Sequence, residues 1–192
     1  MEQLHRPGRP VRLVTAAALF DGHDAAINVM RRILQSQGAE VIHLGHNRSV
    51  AEIATAAVQE DVQGVAVSSY QGGHMEFFGY LLESLRAMGA GHVKVFGGGG
   101  GVIVASEVER LQAMGVSRIF TPEDGQRLGL AAMVNVIIAA CDVDPGPPPG
   151  SLAGLAAGEQ AALARIITCL QDGRLPEAQR HELNALASSR RE

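Results

Sequence analysis

Apolar and polar positions along the chain alternate between two rhythms. Short, mostly apolar runs occur at residues 11–19, 39–44, 62–68, 93–96 and 116–120, rich in Val, Ile, Leu and Ala. Between them, apolar residues return at three- and four-residue intervals, as in Ile27, Met30, Ile33 and Leu34. The short runs read as buried strands and the intervening stretches as amphipathic helices. The helices are predicted over residues 26–34, 49–60, 73–88, 105–114 and 124–141. Ser49 with Glu52 three residues on reads as a capping box opening the second of them. Gly45, His46, Asn47 and Arg48 read as the loop before it.

Five strands separated by helices cannot be joined by hairpins. Such alternation requires crossover connections, and therefore a parallel sheet covered on both faces. The fold class is thus α/β, a flavodoxin-like (Rossmann-like) five-stranded parallel sheet with helices on both faces. In that order the ligand crevice lies at the carboxyl edge of the strands, beside the first one. The pattern breaks after residue 142. Residues 144–150, Asp-Pro-Gly-Pro-Pro-Pro-Gly, cannot continue a helix and read as a stiff linker. Two more helices are predicted beyond it, at residues 159–170 and 176–186. The expected organisation is an N-terminal tail (1–10), a ligand-binding domain (11–142), a linker (143–157) and a helical extension (158–192). The ending at residues 188–192 carries no structural stop, which suggests that more chain follows.

Composition changes this picture little. Hydrophobic residues are 46% and aromatics 4% of the 192 residues, so the core must be aliphatic. A net charge of −4 without a basic block argues against nucleic acid and against an anionic membrane surface. No run is long and apolar enough to span a bilayer. Cys141 and Cys169 stand far apart, in no metal-like spacing, and read as reduced thiols of a cytoplasmic protein.

Chemistry concentrates in the turns at the strands' carboxyl ends. The first carries Phe20-Asp21-Gly22-His23-Asp24-Ala25. Asp21 is spaced to accept an imidazole N–H from His23, leaving the other ring nitrogen free to ligate a metal. An isolated histidine at a helix start is more often a surface residue, but three other turns fall at the same edge. Ser68-Ser69-Tyr70-Gln71-Gly72-Gly73 offers a hydroxyl and two glycines, or simply a capped turn. The five glycines from Gly97 to Gly101 strip side chains from one wall of the crevice. Thr121-Pro122 closes the far side, where Glu123 and Asp124 read as an ordinary helix start. No three histidines share a spacing suited to zinc. A G-x-G-x-x-G turn and a P-loop are both missing. Ser68 and Thr121 stand where a phosphoacceptor domain would need an acid and a lysine.

These motifs resemble a known family. Asp21-Gly22-His23, Ser68-Ser69 and Gly100-Gly101-Val102-Ile103 resemble the D-x-H-x-x-G, S-x-L and G-G motifs of cobalamin-binding domains. The longer stretches 15–25, 43–50, 68–74 and 96–104 look like the B12-binding domain of the fused isobutyryl-CoA mutase and methylmalonyl-CoA mutase family. The resemblance implies adenosylcobalamin held base-off, with His23 as the cobalt ligand and Asp21 orienting it. It also implies a tail slot lined by Ser68, Gly98, Gly99, Gly100 and Gly101, within a wider cofactor-binding set that adds Gly22, Asp24, Ala25, Ser69, Tyr70, Gln71, Gly72, Gly73, Thr121 and Pro122. Ala26 replaces the motif's glycine and Tyr70 its leucine. The implied partners are a G-protein chaperone domain and an acyl-CoA mutase domain of the same enzyme. The radical isomerisation would need those domains, so the chain is expected to bind rather than turn over. A methyl-carrying corrinoid protein and a cobalamin-dependent sensor are the competing expectations.

Overall fold

The computed structural model describes residues 4–22 and 24–189. β1 (Arg12–Ala18), β2 (Glu40–Arg48), β3 (Gly64–Ser68), β4 (Lys94–Gly98) and β5 (Arg118–Phe120) form one sheet. Every pairing is parallel and the order is β2-β1-β3-β4-β5, the flavodoxin-like arrangement. The chain reverses its direction of winding between β1 and β3.

Side chains alternate across the sheet with period two. Val14, Ala16, Val65, Val67, Val95 and Ile119 face one apolar layer, joined by α2 (Val50–Gln59), α3 (His74–Ala87) and α4 (Ala105–Met114). Leu13, Ala66, Phe96 and Phe120 face the other, joined by α1 (Asp24–Ser36) and α5 (Pro122–Cys141). Both faces are therefore covered, which is why the strands read as continuous apolar runs. Both cysteines are buried and free; burial pushes the Cys141 thiol up to about 12.

β2 runs further than its sequence suggests. It continues through His46, Asn47 and Arg48 by means of two register shifts against β1. Gly45 and Asn47 take positive φ there, which the alternation of apolar residues does not reveal. The Ser49–Glu52 capping box forms as expected. α5 begins at Thr121 with a second box, in which Asp124 accepts from Thr121 N–H and pairs with Arg118 and Arg127. Its backbone breaks at Gly129, at φ 74° and ψ 156°.

The remaining helices are α6 (Ala153–Ala156), α7 (Gln160–Gln171) and α8 (Glu177–Ser189). They share a small core of Leu152, Ile166, Cys169 and Leu175. α7 lies against α2, where Arg165 reaches Asp61 at 3.3 Å between two largely buried side chains. Arg165 and Arg174 also donate to the Gly146 carbonyl, which ties the Pro/Gly segment to this helical unit. At the other end, His5 Nε2 and Gly8 N–H meet Asp142 Oδ2, both at 2.9 Å.

Gly64 shows how tightly the sheet is packed. A Cβ there would come within 2.6 Å of Cys141 Sγ and 2.7 Å of Leu13 Cδ2. Gly64→Ala should therefore destabilise the fold by about 1–3 kcal/mol through overpacking. A lowered midpoint of urea unfolding with an unchanged slope is the expected result.

Candidate cofactor crevice

Three loops meet at the carboxyl edge of the sheet, and backbone hydrogen bonds lock them together. Asp21, which follows β1, is 1% exposed. Its Oδ2 accepts the Tyr70 N–H at 2.8 Å, joining the β1–α1 turn to the loop after β3. Ser69 N–H in turn donates to the Gly98 carbonyl at 2.8 Å, joining that loop to the glycine run after β4. A carboxylate this deeply buried must be hydrogen-bonded to be tolerated, so it acts as a structural pin whatever else it binds.

Beside these loops a cavity of about 620 Å³ runs inward between the sheet and the helices α1 and α5. Phe96, Phe120, Leu34, Met133 and Ile137 line its depth and belong to the core layer on that face. Ala25, Ser68, Tyr70, Gly98, Gly99, Gly100, Thr121 and Pro122 line the portion nearer the loops. The volume falls in the range of small-molecule and cofactor sites.

The glycines clear its wall by direct contact. A Cβ on Gly99 would collide with the Ser69 carbonyl, and one on Gly100 would collide with the Tyr70 ring. Gly100 also takes φ 56°, which favours glycine. Tyr70 thus occupies the space that side chains in the glycine run would otherwise take.

One polar atom in the cavity is unsatisfied. Ser68 is 6% exposed, and among the described residues its Oγ has no hydrogen-bond partner. A buried hydroxyl without a partner costs roughly 1–3 kcal/mol and calls for an explanation. Here the explanation is its place on the cavity wall, where a ligand with one hydrogen-bonding atom on an otherwise apolar body would satisfy it.

Not every residue expected at the site lines this cavity. Ser69 contributes its backbone, and Asp21 acts through Tyr70. Gln71, Gly72, Gly73 and Gly101 are exposed and lie outside the cavity lining, as does Gly22. His23, the expected metal ligand, lies outside the described residues, and so does the side chain of Asp24. Among the described residues no group of three His, Cys, Asp or Glu side chains converges as a metal site would. His43 Nδ1 is 2.9 Å from Thr15 Oγ1. His74 Nε2 lies 3.0 Å from Glu107 Oε2, outside hydrogen-bonding geometry. Glu107 is held below its usual range first by the Val104 N–H it accepts and then by His74.

Sequence reading missed the inner wall. Ile27, Met30, Leu34, Met133 and Ile137 recur at ordinary helical spacing, and nothing in that spacing separates a residue facing a cavity from one facing core.

Comparison with known proteins agrees with this geometry. The family model of the B12 binding domain matches residues 11–127. The fused isobutyryl-CoA mutase of Nocardia farcinica is 67% identical over 187 residues, covering 97% of this chain. The chain spans only 17% of that relative's length. The pivalyl-CoA mutase small subunit of Xanthobacter autotrophicus is 34% identical over 119 residues, covering 62% of this chain and 78% of the subunit. Among solved structures, a cobalamin-binding protein from Desulfitobacterium hafniense shares the fold at a TM-score of 0.56 and 21% identity. It matches 68% of this chain and 58% of its own. With most of the sheet and its loops matched in this way, the chain belongs to the B12-binding domain family.

Proposed function

We propose that this chain binds cobalamin base-off, with His23 as the lower ligand to cobalt and the nucleotide tail in the cavity between the sheet and α1/α5. The observation that carries the reading is Ser68, a buried hydroxyl without a partner on the wall of an otherwise apolar slot. Cobalamin's tail ends in dimethylbenzimidazole, an aromatic group with one acceptor nitrogen that is free when the base has left the metal. Phe96, Phe120, Met133 and Ile137 suit the faces of such a ring, and Ser68 Oγ suits its nitrogen.

The residues of the edge have separate tasks in this proposal. Asp21 already holds the turn against the Tyr70 N–H, so the segment carrying His23 starts from a fixed point. Gly99 and Gly100 let the tail pass close to the backbone, and Tyr70 packs over them. The cofactor form proposed is adenosylcobalamin, which supplies radical chemistry when its cobalt–carbon bond breaks homolytically. The protein's part is to seat and orient it. We further propose that the chain serves as the cofactor-binding part of an acyl-CoA mutase of the isobutyryl-CoA type, with a G-protein chaperone domain as partner. The similarity to the Nocardia enzyme supports this.

Ser68→Ala should show opposite effects on stability and on binding. Without ligand, removing the unsatisfied hydroxyl should raise stability by roughly 1 kcal/mol, read as a higher denaturation midpoint. With cobalamin, affinity should fall about tenfold. Equal or higher affinity would remove Ser68 from the tail site.

His23→Ala should abolish the absorption signature of histidine-ligated, base-off cobalamin and weaken binding by at least about tenfold. An unchanged spectrum and affinity would contradict the axial role.

A further inference from the structure

Gly129 divides α5 into two parts. Its backbone lies at φ 74° and ψ 156°, a region essentially open only to glycine. A Cβ at this position would meet nothing within 4 Å. Packing therefore does not require a glycine here; the change of direction does.

The two parts are held in different ways. After the break, Met133, Val134, Asn135, Ile137, Ile138 and Cys141 are buried, all but Asn135 within the apolar layer of that face. Gln37 Nε2 donates to the Ala131 carbonyl and Asn135 Nδ2 donates to Gln37 Oε1, both at 2.9 Å. That part is fixed to the sheet and to the end of α1. Before the break, residues 122–128 include no buried residue, and Leu128 is half-buried against the layer. What holds this part is polar. The Asp124 carboxylate accepts the Thr121 N–H at 3.2 Å and reaches Arg118 at 2.8 Å and Arg127 at 3.1 Å. Arg118 belongs to β5, so its pair with Asp124 ties the segment to the sheet. Segments with few buried apolar contacts open locally at a lower free energy than the core.

The break falls on the cavity. Pro122 and Gly125 before it, and Leu130, Met133 and Ile137 after it, all line the same space. Turning the first part about Gly129 therefore moves one portion of the wall while the rest stays in place. We infer that residues 122–128 form a flap over the cavity, hinged at Gly129 and latched to β5 by the Asp124–Arg118 pair. The inference rests on the cobalamin reading for its ligand: the flap opens to admit the cofactor's tail and closes over it. Hinge and latch are properties of the chain itself and are read without the cofactor.

The test makes two measurements on the full chain, as wild type, Asp124→Asn and Gly129→Ala. Asparagine keeps an oxygen for the Thr121 N–H but loses the charge that draws Arg118. In hydrogen exchange without cofactor, the amides of residues 126–128 should exchange faster than those of residues 134–138. Asp124→Asn should speed the first group by about threefold to tenfold and leave the second unchanged. Gly129→Ala should do the same, because alanine does not hold the hinge conformation. In stopped-flow absorbance with cobalamin, Asp124→Asn should raise the association and dissociation rate constants together, since a latch on a gate delays entry and exit alike. Exchange of both groups at one rate in all three proteins would show α5 opening as a unit and would overturn the inference. A rise in the dissociation rate alone would also overturn it, since the segment would then be a fixed wall. Failure of the wild type to bind cobalamin would overturn the cobalamin reading instead, and the exchange comparison would decide the flap by itself.

Discussion

A single buried carboxylate sets the geometry of the functional edge. Asp21 has to be satisfied where it sits, and the Tyr70 N–H satisfies it at 2.8 Å. Through Tyr70 the same bond fixes the loop after β3, and through Ser69 that loop grips the carbonyl of Gly98. The three turns of the crevice thus form one unit before any ligand arrives. Removing the acid would take this acceptor from the Tyr70 N–H and loosen the turn that carries the proposed metal ligand. Binding and folding draw here on the same hydrogen bond.

The slot is a product of residue size. Ala66, Gly98, Gly99 and Gly100 line one side of it, and a Cβ on Gly99 or Gly100 would meet the Ser69 carbonyl or the Tyr70 ring. Phe96, Phe120, Met133 and Ile137 keep the walls apart and dry. A core assembled this way gives up some of its own packing, and the buried hydroxyl of Ser68 adds to that cost. Both sacrifices are intelligible if a flat aromatic tail completes the core.

The sheet and its helices were legible in the sequence because parallel strands buried on both faces must be apolar without interruption. The runs at Val14–Ala18 and Val65–Val67 could hardly be anything else. The last part of β2 was not legible, because His46, Asn47 and Arg48 are polar and the strand survives there only by shifting register and adopting positive φ. Ser68, Gly99 and Gly100 stood out as chemistry at a strand end, whereas Met30, Leu34 and Met133 on the inner wall looked like any helix face. Gln71 and Gly72 seemed equal to Ser68 in the motif, yet the chain turns outward after Tyr70 and carries them away from the cavity. Phe20 falls in the turn as the sequence suggests, but its positive φ, held by Asn47, is not legible from residue type.

The proposed lower ligand is a protein nitrogen beneath the cobalt, and electron paramagnetic resonance of bound cob(II)alamin reads that nitrogen directly. The spectrum would be recorded from protein grown with natural nitrogen and from protein labelled uniformly with nitrogen-15, each loaded with unlabelled cofactor. The account predicts that the superhyperfine splitting changes from triplet to doublet on labelling, because the axial nitrogen belongs to the chain. A triplet that persists in the labelled protein would mean that the cofactor's own benzimidazole remains on the metal, and the account would be wrong.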